Sequence, residues 1–449
     1  MTQTSASTFV FGLAVAGRAV ATSLRERGIE VVVGDDNLTR EHQTFAQSIG
    51  AHVVDIARDG ELQRVMKSVD VLSPAPGVPE NHDVIRCAHE YRVSIQSEIE
   101  IAYRMEHLRS GGPRPMVAIT GTDGKTTTTL MANAILRAAG LRAEAVGNTE
   151  VPLIESLATD AQAFAIECSS FRLEHTEHFR VPASAWLNIA PDHLDWHSSY
   201  QKYFDAKAKM WVNCLPTDVV VAPIDDVNIC AVARASAARV VTFGDGDSDY
   251  RVVNNDLFGP LGPIMSISRM KRSLPHDVTN ALAAAAVCIE SGLASAEHVA
   301  HALEHFENAP HRIQFVAEID GVRWYNDSKA TSPHAASVAL RAFDSIVLIA
   351  GGKNKGLDLS QMACEPHRMR AVVAIGAAAD DIAQAFSGVC TVEKADSMSA
   401  AVAHARQLSR IGDVVVLSPG CTSYDWYSNY GERGEDFMTC VRELSGNHR

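Results

Sequence analysis

The stretch at residues 116–129, MVAITGTDGKTTTT, is an apolar run that enters a glycine turn and then a row of threonines. This pattern predicts a buried strand, a tight loop and the first turn of a helix. Phosphate oxygens bind backbone N–H groups at a helix N-terminus, and glycines let that backbone come close. Lys125 would then meet the β- and γ-phosphates of a nucleotide, and the Thr126 hydroxyl would reach Mg²⁺. The predicted phosphate loop consists of Gly121, Thr122, Asp123, Gly124, Lys125, Thr126 and Thr127.

The glycine spacing of this loop is shorter than the strict GxxxxGK[ST] pattern, because Ile119 occupies the position of the first glycine. The alternative is an ordinary strand–turn–helix unit with a surface lysine. Threonines are poor helix formers, and a run of them in a first helical turn is hard to explain without a ligand.

Polar side chains also follow the next two predicted strands. The strand at 163–167 ends in Glu167, and the strand at 184–189 is followed closely by His193. Because ligands bind at the carboxyl ends of parallel strands, both side chains are expected near the nucleotide phosphates. Carboxylate and hydroxyl oxygens suit Mg²⁺, whereas histidine is a less usual ligand for it. Taken singly, Glu167 could be a plain strand-end residue and His193 a plain loop histidine.

A helix predicted from residue 199 to about 212 carries a lysine on its apolar face. Lys207 lies seven residues after Tyr200, in register with the aromatic residues of that face, while Lys202 and Lys209 lie off it. The ammonium could reach water along a buried stem. Alternatively, the amine is desolvated, its pKa falls, and the neutral form can capture CO₂ as a carbamate beside a metal ion. The pattern alone leaves both interpretations open.

Composition excludes several classes of protein. The chain has 449 residues, of which 46% are hydrophobic, and a formal net charge of −14. It is therefore not largely disordered, and the acidic balance with no basic block disfavours nucleic acid as the main partner. No apolar run approaches the roughly 20 residues of a membrane span, and no signal peptide is predicted. Nine cysteines, none in a CxxC pair, indicate a reducing cytoplasm.

Three blocks alternate strand and helix patterns, which predicts an α/β protein with parallel sheets. The expected boundaries fall near residues 105 and 309, giving domains at 1–105, 106–309 and 310–449. The first block opens with a strand at 8–11 and the glycine turn at 12–17.

Several segments together resemble the Mur ligases, the ATP-dependent amide ligases of peptidoglycan precursor synthesis. The segments that carry this resemblance are TGTDGKTT, ECSSFRLEH, NIAPDHLDWH, NDSKAT (326–331), GGKNK (351–355) and SPGCTS (418–423). The resemblance covers essentially the whole chain and is greatest to the members that add D-glutamate to UDP-N-acetylmuramoyl-L-alanine. It implies a Rossmann-like N-terminal domain, a central P-loop ATPase-like domain and a Rossmann-like C-terminal domain. These would bind the UDP substrate, ATP and glutamate respectively.

The resemblance also implies roles for particular residues. ATP would contact the phosphate loop together with Asn280, Arg312 and Asp327. Two Mg²⁺ ions would be held by Thr126, Glu167, His193 and a carbamate on Lys207. Lys125, His193 and Lys207 would be catalytic. The UDP substrate would contact Val15, Ala16, Asp35, Asp36, Gly77 and Asn148. Glutamate would contact Lys329, Thr331, Lys355, Ser423, Tyr424 and Tyr430.

The sequence departs from the family pattern at three places, namely Ala14 and Ala16 in the first glycine turn, Thr149-Glu150 after Asn148, and Tyr430 in place of a phenylalanine. An L-glutamate-adding variant or another ligase of the family is therefore a further alternative. A nicotinamide-dependent dehydrogenase is a weaker one, because GLAVAG followed by Asp35 matches the dinucleotide fingerprint only loosely. A non-catalytic binding module would not need the set formed by Lys125, Glu167, His193 and Lys207. We expect a cytoplasmic monomer that acts on small molecules and does not insert into membranes.

Overall fold

The computed structural model describes residues 7–149, 151–194 and 196–446. Contacts divide the chain into two compact units. The first holds Met1–Ser273 with Asp277–Phe306, and the second holds Leu274–His276 with Glu307–Arg449. Two large sheets lie in the first unit and one in the second. The chain is thus a three-domain α/β protein as predicted, and the boundaries near residues 105 and 309 stay predictions.

The N-terminal region alternates short strands and helices: β1 (Thr8–Phe11), α1 (Val15–Glu26), β2 (Val31–Gly34), α2 (Arg40–Ile49), β3 (His52–Val53), α3 (Glu61–Met66), β4 (Val71–Pro74), α4 (Asp83–Tyr91), β5 (Ser94–Ile95) and α5 (Glu98–His107). All five strands are parallel, in the order β3-β2-β1-β4-β5. This is the Rossmann-like arrangement, in which the strand order reverses between β1 and β4 and leaves a crevice at their carboxyl ends.

The central region alternates six strands with five helices: β6 (Met116–Thr120), α6 (Lys125–Ala138), β7 (Ala143–Gly147), α7 (Leu153–Ser156), β8 (Ala163–Glu167), α8 (Ser170–Glu174), β9 (Ala183–Trp186), α9 (Tyr200–Ala208), β10 (Val219–Pro223), α10 (Val227–Ala235) and β11 (Arg239–Phe243). The strands are all parallel, in the order β11-β10-β9-β6-β8-β7. Central β6 is therefore flanked by β8 and β9, and the loops after all three strands lie at one edge of the sheet.

The rest of the first unit comprises β12 (Arg251–Val253), β13 (Asp256–Gly259), β14 (Gly262–Ser266), α12 (Ala296–His305) and all but the first two residues of α11 (Pro275–Glu290), which belong to the second unit. The three strands form an antiparallel sheet. Helix α11 begins at Pro275. Its alanine-rich face is completely buried against the central sheet, since small side chains allow close helix–sheet packing.

Buried carboxylates on α5 join the N-terminal and central sheets within the first unit. Glu98 accepts a hydrogen bond from the Ile154 N–H at 2.7 Å and pairs with buried Arg172. Glu106 forms a two-pronged ion pair with Arg114, the nearer contact being 2.7 Å. Because a buried charge is costly unless it is paired, these contacts fix α5 in one position on the central domain.

The second unit contains β15 (Gln314–Ile319), β16 (Val322–Asn326), α13 (Pro333–Arg341), β17 (Ile346–Gly351), β18 (Met369–Ile375), α14 (Ala379–Ala385), β19 (Thr391–Ala395), α15 (Met398–Leu408), β20 (Val414–Gly420) and α16 (Tyr430–Gly446). The order is β15-β16-β20-β17-β18-β19, in which only β15 is antiparallel. The sequence patterns missed β15 and β19, because both are half-exposed edge strands without a clear apolar run. Across the described residues, no helix combines the length and the apolar character that a membrane crossing needs.

Candidate active site

The predicted phosphate loop lies between the end of β6 and the start of α6. Gly124 caps the helix with φ +77°, a left-handed conformation that favours glycine. A Cβ at this position would lie 2.4 Å from Oδ1 of Asn280, the residue predicted to contact ATP. The loop therefore packs directly on α11, and glycine is required there by both backbone conformation and space.

Asn188 begins the family-like segment NIAPDHLDWH but had no predicted role; it holds this loop in shape. Its Oδ1 accepts hydrogen bonds from the N–H groups of Thr122 at 3.0 Å and Asp123 at 2.9 Å, and its Nδ2 donates to the Asp123 carbonyl at 3.2 Å. The strand predicted at 184–189 was too long, since β9 ends at Trp186 and leaves Asn188 in the following loop. The position of Asn188, a polar residue just after a strand end, was the sequence signal that could have predicted this role.

Lys207 is buried, with 1% of its surface exposed, and its Nζ donates to the Gly121 carbonyl at 2.7 Å. Burial lowers the pKa of Lys207 well below its ordinary value, and the charge of Lys125 lowers it further. The Lys207 amine is thus desolvated and does not reach water along a buried stem, while its carbamate stays a prediction. Tyr200, expected on the same buried face, is 39% exposed instead, because it lies in the first turn of α9.

Tyr203 and Lys125 complete the surroundings of the loop. The Tyr203 hydroxyl lies 2.9 Å from Thr122 Oγ1, and its ring lies 4.6 Å from Lys207 Nζ. Lys125 donates to the Thr122 carbonyl at 2.8 Å, so its ammonium lies over the loop. The Lys125 ammonium therefore supplies positive charge at the loop, which attracts phosphate oxygens.

Glu167 is buried at the end of β8, next to β6. Its Oε1 accepts a hydrogen bond from Asn148 Nδ2 at 3.0 Å, whereas Oε2 is buried and has no hydrogen-bond partner in the described part of the chain. A buried carboxylate oxygen without a donor is costly, and a cation would remove that cost. The described residues include no group of three His, Cys, Asp or Glu side chains able to hold a metal by themselves. One carboxylate, a hydroxyl and nucleotide phosphates nevertheless fit the usual requirements of Mg²⁺.

His193 lies in the loop after β9 with φ +53°, a strained backbone conformation for histidine. Its N–H donates to Asp192 Oδ1 at 2.8 Å, its ring packs on Phe171 at 4.7 Å, and its side chain is 43% exposed. The imidazole is therefore accessible to a ligand. Asp195, in the family-like segment NIAPDHLDWH, and Glu150, in a departure from the family pattern, lie outside the described residues.

A second group without a predicted role is centred on His197, four residues after His193 at the end of the segment NIAPDHLDWH. Its Nδ1 lies 3.0 Å from Glu80 Oε1 and its Nε2 lies 2.9 Å from Ser170 Oγ. Burial lowers the pKa of His197, although Glu80 acts in the opposite direction. Since Glu80 follows β4, this contact ties the N-terminal crevice to the loop that carries His193.

The residues predicted to bind the UDP substrate surround that N-terminal crevice, except for Asn148, which lies beside Glu167 at the central sheet. Asp35 Oδ2 accepts a hydrogen bond from the Leu13 N–H at 2.8 Å, and Asp36 lies 3.1 Å from His82 Nε2. A Cβ on Gly12 would lie 2.6 Å from the Ala75 Cβ, so the loops after β1 and β4 touch. Of the other predicted residues, Val15 is exposed, Ala16 is buried, and Gly77 lies in the loop after β4.

The residues predicted to bind glutamate lie in the second unit, in loops after β16, β17 and β20 and, for Tyr430, at the start of α16. Lys329 Nζ donates to the Tyr430 hydroxyl at 2.7 Å. The Lys353 N–H donates to the Thr422 carbonyl at 2.9 Å, which joins the loops after β17 and β20. Of the remaining predicted residues, Lys355 and Tyr424 are exposed, Thr331 is half-buried and Ser423 is buried.

Two residues predicted to bind ATP also lie in the second unit. Asp327 Oδ2 accepts a hydrogen bond from Ser418 Oγ at 2.7 Å, and Oδ1 accepts one from the Ile313 N–H at 3.2 Å. Half-buried Arg312 precedes Ile313. Each unit thus holds its own set of predicted residues, most of them in loops that follow parallel strands.

Comparison with known proteins shows the family to which the chain belongs. The Mur ligase middle domain matches residues 119–288, and the Mur ligase glutamate ligase domain matches residues 311–421. The chain belongs to the Mur ligase family. It is therefore an ATP-dependent amide ligase that forms ADP, as the sequence resemblance implied.

Individual relatives of this Mur ligase are similar over nearly their whole length. It is 37% identical to the UDP-N-acetylmuramoylalanine–D-glutamate ligase of Frankia casuarinae, with 97% of this chain and 94% of the relative covered. The enzyme of that name from Streptomyces coelicolor is 35% identical, with 97% of both chains covered. Among solved structures, the UDP-N-acetylmuramate-alanine ligase of Thermotoga maritima matches with a TM-score of 0.59 and 17% identity, covering 98% and 99% of the two chains. The structural match supports the fold alone.

Proposed function

We propose that this Mur ligase joins D-glutamate to UDP-N-acetylmuramoyl-L-alanine, with ATP converted to ADP and phosphate, in peptidoglycan precursor synthesis. The observation that carries the proposal is the buried Lys207 amine on the Gly121 carbonyl of a phosphate loop, in a chain similar to D-glutamate ligases over 97% of its length. Neither a dehydrogenase nor a binding module requires this arrangement. The proposed domains are 1–105 for the UDP substrate, 106–309 for ATP and 310–449 for glutamate.

The reaction has two steps. A carboxylate oxygen of the acceptor attacks the γ-phosphorus of ATP, the bond to the β-phosphate oxygen breaks, and ADP leaves. The glutamate amine then attacks the acyl carbon, loses a proton, and expels phosphate as the amide forms. Both steps move negative charge among phosphate oxygens, so catalysis rests mainly on fixed positive groups. Lys125 and the amides of the loop supply them from this chain.

Thr126, Glu167 and His193 are the residues that would hold Mg²⁺ in two sites. The metal would supply charge neutralisation at the phosphates and the reacting carboxylate. The unpartnered Glu167 Oε2 supports this assignment. Asn148, which donates to the other Glu167 oxygen, would orient the carboxylate and contact the acceptor.

Lys207 would carry a carbamate. Its neutral amine would form an N–C bond to CO₂ and release a proton, and the product would be an anionic ligand for the second metal site. The support for this proposal is the burial of the amine and the downward shift of its pKa.

The remaining contacts follow the family resemblance. Asn280, Arg312 and Asp327 would hold the adenine, phosphate and ribose of ATP. Val15, Ala16, Asp35, Asp36 and Gly77 would hold the uridine diphosphate. Lys329, Thr331, Lys355, Ser423, Tyr424 and Tyr430 would form the glutamate pocket. We propose that the enzyme works as a cytoplasmic monomer on these small molecules.

Phosphate release measured with ATP, Mg²⁺ and UDP-N-acetylmuramoyl-L-alanine tests the function. We expect phosphate release to require an added amino acid. The kcat/KM for D-glutamate should exceed that for L-glutamate by at least about tenfold, because a pocket that binds both carboxylates of glutamate distinguishes the two isomers by the placement of those carboxylates. Glu167→Gln should abolish release with either isomer. Preference for L-glutamate would establish the alternative variant, and release with another amino acid would assign a different ligase of the family.

A further inference from the structure

Arg433, on α16, is a buried guanidinium that no predicted role accounts for. It is 1% exposed and is among the largest completely buried side chains. Its Nε donates to Ser328 Oγ at 2.9 Å, its Nη2 to the Ser328 carbonyl at 2.8 Å, and its Nη1 to the Cys421 carbonyl at 3.1 Å. All these acceptors are uncharged.

No carboxylate in the described chain forms an ion pair with Arg433. Two carboxylates, Asp425 and Asp327, act on Arg433 by raising its pKa, but both accept hydrogen bonds from other groups. Burial lowers the pKa of Arg433 to about 10, so the group stays charged at neutral pH. A buried, unpaired charge is expensive, and proteins retain one where it serves a purpose.

The position of Arg433 suggests that purpose. Ser328 directly precedes Lys329, and Cys421 lies two residues before Ser423. Ser328 Oγ also donates to the Tyr430 carbonyl at 2.7 Å, one turn earlier on α16. One side chain thus joins the segments that carry three predicted glutamate contacts.

The loop after β17 meets the same guanidinium. A Cβ on Gly352 would lie 3.1 Å from Arg433 Nη1 and 2.2 Å from the Thr422 carbonyl oxygen. Only glycine fits between the two, and this glycine leads into the loop that carries Lys355. Arg433 therefore lies where the loops after β16, β17 and β20 meet α16.

We propose that Arg433 is a positioning residue for the glutamate pocket: it fixes the loops that carry the pocket and adds a positive potential behind them that favours the carboxylates of glutamate. The inference rests on the proposed function. Arg433 itself does not touch the amino acid, since it is 1% exposed and donates to Ser328 and Cys421 behind the pocket. An anion in the pocket would also offset part of the cost of the unpaired charge.

The test compares Arg433→Met and Arg433→Lys in the full-length enzyme, with phosphate release measured while glutamate, ATP or the UDP substrate is varied. Arg433→Met should raise the KM for glutamate by about tenfold or more and change the KM for ATP by less than about twofold. Arg433→Lys, which keeps the charge but loses the planar fork, should fall between Met and wild type. Arg442→Met is the matched control, because Arg442 lies exposed on the same helix.

Equal increases in the KM for ATP and glutamate, or an unchanged KM for glutamate in a folded Arg433→Met enzyme, would overturn the inference. If that variant does not fold, Ser328→Ala replaces it, since it removes the hydroxyl acceptor of Nε. We expect Ser328→Ala to raise the KM for glutamate by about threefold or more, and an unchanged value would overturn the inference equally. If the wild-type enzyme showed no glutamate-dependent phosphate release, the proposed function would be refuted. If the wild type showed such release but the Arg433 variants kept the wild-type KM for glutamate, only the inference about Arg433 would fail.

Discussion

The Lys207 amine has one hydrogen-bond acceptor within the described part of the chain, the Gly121 carbonyl, and is otherwise enclosed by protein. Removing it should remove the carbamate and leave the second metal site incomplete. We predict that Lys207→Ala lowers kcat by about 100-fold or more, the range found when one charge-stabilising group is lost. A small carboxylate such as acetate should restore part of the rate, because it can occupy the space of the carbamate.

Lys202→Ala is the control for this experiment, since Lys202 lies on the exposed face of the same helix. Its kcat should match the wild type with and without acetate. Near-normal turnover of Lys207→Ala without acetate would disprove the carbamate proposal, whereas the phosphate loop assignment would be unaffected.

At the scale of single elements, helix α6 begins and ends near left-handed glycines that differ in their surroundings. Gly124 (φ +77°) faces Asn280, whereas a Cβ on Gly140 (φ +85°) would have no described atom within 4 Å. Gly124→Ala should raise the KM for ATP by about tenfold or more, because the new methyl group would displace Asn280 and the loop backbone. Gly140→Ala carries the same backbone strain and should leave the ATP kinetics unchanged.

The two variants separate backbone strain from contact with the nucleotide site. Both should lose roughly 1 kcal/mol of stability from the left-handed conformation. If both raised the KM for ATP equally, strain transmitted through α6 would be responsible, and the loop would not depend on its contact with α11.

At the scale of the whole molecule, stability should depend on pH through His175. Its Nε2 is buried without a hydrogen-bond partner in the described residues, and burial lowers the pKa of His175 to about 3. The unfolded chain binds a proton near pH 6.5 that the folded protein does not bind, so stability falls as the pH drops from 6.5 towards 3. Between pH 7 and pH 5.5 this amounts to about 1 kcal/mol, or roughly 2 °C in Tm.

Calorimetry of wild type and His175→Gln at the two pH values checks this expectation. The variant should lose about 2 °C less than wild type between pH 7 and pH 5.5. His52→Gln, at an exposed histidine of β3, should retain the wild-type difference. An identical pH response in wild type and His175→Gln would show that His175 does not remain neutral in the folded protein.

Local pattern predicted the elements that have strong, short-range signals. The strand at 116–120 and the loop and helix that follow it were predicted in the right order, because apolar runs and glycine turns act over a few positions. The end of β9 and the whole of β15 were not predicted correctly. The end of a strand and the pairing of an edge strand both depend on contacts with residues far away in the sequence.

The same distinction holds for side chains. Lys207 and Arg433 both lie at helical spacing from buried apolar residues, and that signal was used for Lys207 but overlooked for Arg433. Periodicity could nominate either residue, but it could not decide whether the charged end reaches water, since this depends on which neighbours cover it.

The sequence by itself determined the family, the α/β class, the phosphate loop and the residue types available for phosphate and metal chemistry, because these reside in short contiguous segments. Only the tertiary structure decided that the Lys207 amine is desolvated, that one Glu167 oxygen lacks a partner among the described residues, and that Asn188 and Arg433 hold the loops of their sites. Burial and hydrogen bonding at these positions depend on segments that lie far apart in the sequence and meet only in the folded chain, which no local pattern encodes.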